Sequence, residues 1–161
     1  MKQLSKYLAE KLIINKDYRD NTIVVKSFDE LRKIIEDRYK KLGPGTEQNP
    51  IDFNDIDVSN IDSFYDKNKE GIFGHTKFKY IDISDWDVSN VTNMSYMFCN
   101  CENFNQNISS WDVSKVTDMC SMFYRCESFN QDLSKWNVSK VRYHSHMFEK
   151  CQIKKEYKPK F

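Results

Sequence analysis

Hydrophobic and polar positions recur with a fixed period over the second half of this chain. Trp86, Trp111 and Trp136 lie 25 residues apart, and so do Val88, Val113 and Val138. Met97, Met122 and Met147 keep the same spacing, as do Phe98, Phe123 and Phe148, and then Cys101, Cys126 and Cys151. Ile83, Ile108 and Leu133 form a further column, and Phe104 and Phe129 another. An imperfect unit, Phe53-Asn54-Asp55-Ile56-Asp57-Val58-Ser59-Asn60-Ile61 followed by Phe64, sits 30 residues ahead of the first good one. Five extra residues therefore fall between Phe64 and Phe73. One imperfect and three good repeats are enough units for a stack that buries a continuous core.

Within each unit the pattern I-x-x-W-x-V alternates, which places Trp and Val on one face of a short strand and Asp87 on the other. The stretch Val91, Met94, Met97, Phe98 is spaced like one face of a short helix or 3₁₀ turn packing back over that strand. Ser89 and Thr92 are positioned to cap it. The expected fold is an α/β repeat, a short solenoid with a parallel β-sheet and short helical turns. Successive strands would lie about 4.8 Å apart. The coils are assigned to 51–80, 81–107, 108–132 and 133–151.

Residues 1–50 read as an N-terminal helix–strand–helix cap. Leu4, Leu8 and Leu12 mark an amphipathic helix over about 2–14. Thr22 to Val25 is a β-branched run that predicts a strand. Ser27-Phe28-Asp29-Glu30 is a capping box, opening a helix with Phe28, Leu31, Ile34, Ile35 and Tyr39 as its apolar stripe. Gly43-Pro44-Gly45 ends it. At the far end His144 stands where earlier units have Met, so it is expected to pack in the last coil. Residues 152–161 are expected to be a solvated basic tail.

The motif Trp-Asp-Val-Ser-Asn-Val-Thr-Asn-Met-Ser-Tyr-Met-Phe followed by Phe-Asn-Gln resembles the BspA-like leucine-rich repeat in its 25-residue mycoplasma-type form. The resemblance covers about residues 51–151. It implies a leucine-rich-repeat-like parallel-β solenoid, and it implies no chemistry, since fold is not function. The strand–helix segment ahead of the repeats is also similar to what precedes them in phage- and Bacteroidetes-type members.

Composition narrows the function. The 161 residues carry 25 basic and 24 acidic groups, which argues against a nucleic-acid-binding domain with a large basic excess. Four glycines fit neither a Walker loop nor a dinucleotide fingerprint. Three histidines form no zincin helix, and the cysteines read as a core ladder in which thiols act as small hydrophobes. No catalytic residue, cofactor or metal is expected, and no enzyme activity. No secretory signal or membrane span is read from the chain, so a cytoplasmic location is expected, with a phage virion as the alternative.

The charge is uneven: residues 51–107 hold 4 basic and 10 acidic groups, and residues 108–161 hold 10 and 6. The candidate binding face is the outward column Asp57, Asp87, Asp112 and Asn137, with Asp85, Lys115, Lys135 and Lys140 beside it. The competing reading is that each Asp bonds its own turn, as Asx residues do. The expected function is a non-enzymatic protein-interaction module with a protein partner and no membrane. The alternative is a phage or mobile-element protein, virion-internal or acting against a host system. Its first ten residues resemble a leader processed after Leu8-Ala9-Glu10.

Overall fold

The structure is a computed structural model describing residues 22–66, 71–74 and 80–161. The helix expected over 2–14 and the leader over 1–10 lie outside the described residues. Regular elements run in the order β1 (Ile23–Val24), α1 (Phe28–Leu42), β2 (Ile51–Asp52), β3 (Ile56–Asp57), β4 (Ile81–Asp82) and a 3₁₀ turn at Lys155–Tyr157. β1 pairs with β3 and β2 with β4, both parallel.

Helix α1 begins where its sequence says it should. The Ser27 hydroxyl accepts from the Glu30 N–H at 3.2 Å, and the Glu30 carboxylate accepts from the Lys26 N–H at 2.9 Å. Gly43, at φ 75°, closes the far end by donating its N–H to Tyr39, a left-handed conformation that glycine adopts without steric cost. Leu31 and Ile35 are buried, and Phe28, Ile34 and Tyr39 pack beside them. Arg38 locks the helix to the first unit. Its guanidinium donates to both carboxylate oxygens of Asp55, at 2.5 and 2.8 Å, and to the Asp52 carbonyl at 2.7 Å. A forked pair of this kind fixes orientation as well as distance.

The expected solenoid, with a parallel sheet through every unit and short helical turns, is not what the chain forms. Among the described residues there is one α-helix and two sheets of two short strands each, a small mixed α/β fold. The reason is local. The Trp86 N–H turns back to the Ile83 carbonyl at 3.2 Å, and the Val91 N–H turns back to Val88 at 2.9 Å. The same two i→i+3 turns recur at Trp111 and Val116 and at Trp136 and Val141. A strand would have sent those N–H groups sideways. The stretch expected to be helical fails for a second reason. Tyr96, Ser121 and His146, and Asn100, Arg125 and Lys150, all have positive φ between 53° and 62°. Left-handed residues every few positions prevent a right-handed helix from propagating.

Neighbouring units meet through side-chain columns and through backbone bonds from alternate N–H groups. Phe73, Phe98, Phe123 and Phe148 stack with ring centroids 5.8, 5.5 and 5.6 Å apart. The thiols of Cys101 and Cys126 donate to the carbonyls of Phe73 and Phe98 at 3.1 and 3.0 Å. Burial pushes the Cys126 thiol far above its ordinary value, which keeps it protonated as a donor. Gly71 bridges to Tyr65 in the antiparallel sense. A Cβ on Gly71 would stand 2.1 Å from the Tyr96 carbonyl oxygen, so no other residue fits there.

Two expectations at the C-terminal end are also corrected. His144 is exposed rather than packed in a coil, and its ring stacks on Phe161 with centroids 4.0 Å apart. The segment 152–161 is not a free tail. The Leu133 N–H donates to the Tyr157 carbonyl at 2.8 Å, Pro159 is buried, and Lys158 Nζ sits 5.4 Å from the Phe148 ring centroid. The segment covers the end of the Phe column.

The left-handed positions give a direct test. Arg125→Gly should equal or exceed the wild type by up to about 1 kcal/mol, because glycine takes this φ without strain. Arg125→Val should lose about 1–2 kcal/mol, since a branched side chain resists it most. Urea denaturation of the two variants, with both falling equally, would contradict this account.

Candidate functional site

The candidate face is built on Asx turns. Asp57, Asp87, Asp112 and Asn137 each place Oδ1 to accept the N–H two residues on, from Ser59, Ser89, Ser114 and Ser139, at 2.9, 3.0, 3.0 and 3.2 Å. The local-turn reading of this column therefore holds, and the side chains are fixed by it. Asp87, Asp112 and Asn137 remain exposed, whereas Asp57 is half-buried within β3.

The bonds from the serine that follows hold the Asp87 and Asp112 carboxyls below their ordinary range. The two carboxylates lie close enough to repel one another, and Lys115 attracts both. Lys140 attracts Asp112. The structure thus brings Asp87, Asp112, Lys115 and Lys140 into one mixed-charge row. Lys115 Nζ also donates to Asn90 Oδ1 at 2.8 Å. Asp85 is exposed and ties its backbone N–H to Asn54 Oδ1 at 2.9 Å, and Lys135 is exposed near Asp132, whose carboxyl it helps to hold down.

Sequence reading missed two further Asx columns. Asp52, Asp82, Asn107 and Asp132 accept from the N–H of Asn54, Ser84, Ser109 and Ser134 at 2.8–3.2 Å. Asn93 and Asp118 accept from Ser95 and Cys120 at 2.8 and 2.9 Å. The signal was present: an Asp or Asn precedes a small residue by two positions at three places in a unit. Asn105 and Asn130 do similar work between units. Their Oδ1 atoms accept from the N–H of Asn130 and Lys154, both at 3.0 Å.

The five cysteines are free thiols. Among the described residues no group of three His, Cys, Asp or Glu side chains is arranged to hold a metal, and no helix is long and apolar enough to cross a membrane.

These features define a repeat protein whose units are sequences of tight turns, cornered by Asp and Asn, with a mixed-charge row on the outside. The chain belongs to the family described as Mycoplasma protein of unknown function, DUF285, whose model matches residues 48–158. No curated protein and no solved structure matches it.

The Asx turns carry a prediction with a sign. Asp87→Asn should keep the turn, as Asn137 does, and leave stability near the wild type. Asp87→Ala should lose about 1 kcal/mol with its hydrogen bond. Because the folded-state values of Asp87 and Asp112 are lowered, their contribution is present above the ordinary value of 3.8 and is lost as pH falls through the lowered one. Asp87→Asn with Asp112→Asn should therefore flatten the acid limb of stability below about pH 4. Urea midpoints at pH 6 and pH 3 read this, and an unchanged acid limb would refute it.

Proposed function

We propose that this protein is a non-enzymatic protein-interaction module of the BspA-like repeat type, presenting the row Asp85, Asp87, Asp112, Asn137 with Lys115, Lys135 and Lys140. The observation that carries the reading is that Asp87, Asp112 and Asn137 point outward and are already fixed by their own turns. A partner binding such a row need not immobilise flexible side chains, a cost of about 0.5–1.5 kcal/mol for each one that must be ordered. Two neighbouring carboxylates with lysines beside them favour a partner with complementary charges, which gives specificity and association rate more than raw affinity.

Charge reversal at Asp87 is an ambiguous probe, because lysine would remove the Asx bond as well as the charge. The Asp87→Asn with Asp112→Asn protein keeps both turns and removes both charges. It is expected to melt with the wild type and to lose capture of a crosslinked partner from the source lysate. Equal capture by the two proteins would overturn this assignment of the face.

A further inference from the structure

The backbone between columns carries an ordered set of bonds. The N–H groups of Met94, Tyr96, Phe98 and Asn100 donate to the carbonyls of Asp118, Cys120, Met122 and Tyr124 at 2.8–3.0 Å. One unit later, Met119, Ser121, Phe123 and Arg125 donate to Tyr143, Ser145, Met147 and Glu149 at 2.8–2.9 Å. Every second N–H faces the following unit, and the carbonyls it meets face back. The edge is therefore polarised, with donors toward the C-terminal end.

At the last unit the same positions are His144, His146, Phe148 and Lys150. Their N–H groups have no acceptor among the described residues. Segment 152–161 covers the Phe148 and His144 rings but supplies no carbonyl to this row. His144, His146 and Lys150 are exposed. His146 and Lys150 are left-handed like their counterparts Ser121 and Arg125, whose N–H groups donate to the following unit. The surrounding charge is positive: residues 133–161 hold 8 basic and 2 acidic groups. One of those acids, Glu149, is engaged with His146 at 2.6 Å.

We infer that this edge docks an acidic peptide segment of another protein. Carbonyls at every second residue would take the four N–H groups, as segments 118–124 and 143–149 do for the units before them, each turning through a left-handed residue. Carboxylates between them would meet Arg142, Lys150 and Lys158. Adding a segment to an open backbone edge is a general mode of peptide recognition. A peptide is favoured over a phosphate polymer because the donors keep the two-residue spacing of a polypeptide's carbonyls. This edge is distinct from the Asp and Lys row proposed above, and either can fail without the other.

The test is amide-resolved NMR with hydrogen exchange on the full chain. In the free protein the amides of His144, His146, Phe148 and Lys150 should exchange at least ~100-fold faster than those of Met119, Ser121, Phe123 and Arg125. A ten-residue peptide of alternating Asp and Thr should shift and protect those four amides. Its Asn-Thr counterpart, and Arg142→Glu with Lys150→Glu, should each weaken binding roughly tenfold or more. Retained slow exchange at Met119 to Arg125 checks that the variant is folded. The inference is overturned if the four amides are protected in the free protein, or if the peptide shifts other amides only. It is also overturned if polyuridylate or tripolyphosphate, and not the peptide, produces the shifts.

Discussion

Everything in the repeat region depends on one backbone constraint. Alternate N–H groups of the first two good units reach carbonyls 24 residues further on, as Met94 reaches Asp118 and Phe98 reaches Met122. An N–H left without a partner away from water costs about as much as a lost hydrogen bond. Regular strands satisfy such groups automatically, but these units bend through successive i→i+3 turns and cannot. The left-handed residues at Tyr96 and Asn100, and their equivalents, re-aim the chain so that alternate N–H groups still face the next unit. The Phe column then stacks at the spacing this ladder sets.

The corners obey the same constraint by a different means. A chain with only 4 glycines and 3 prolines needs another way to turn, and Asp and Asn side chains provide it by taking the N–H two residues on. A carboxylate in that role is also a charge on the surface. At Asp87 and Asp112 one side chain therefore both closes a turn through Oδ1 and places a charge on the exposed surface.

Much of the core was legible because like residues repeat in register. Val88, Phe98, Cys101 and Trp111 are all buried. What misled was periodicity. Alternating burial at Trp86 and Val88 arises equally from a strand or from two consecutive turns, and the apolar spacing of Val91, Met94 and Met97 arises from turns as readily as from a helix. Only backbone angles distinguish these, and positive φ at Tyr96 or Arg125 leaves no mark in residue type. The C-terminal segment misled for a compositional reason. Its lysines suggested solvation, while Tyr157, Pro159 and Phe161 do the packing. The candidate face was legible as a column, and its Asx chemistry was named as an alternative, but the two further Asx columns were not separated from the polar background.

The polarity of the ladder makes the two ends of the stack chemically unlike. At the N-terminal end, α1 is fastened by Arg38 to Asp55, and Phe64 and Phe73 supply the donors that the first good unit requires. At the other end, apolar closure and backbone closure are separated. The Phe column ends under Lys158, while the N–H row of His144, His146, Phe148 and Lys150 has no acceptor among the described residues. The one carbonyl that the C-terminal segment lends, from Tyr157, goes to Leu133 and not to this row, so ring closure and backbone closure are answered by different parts of the unit.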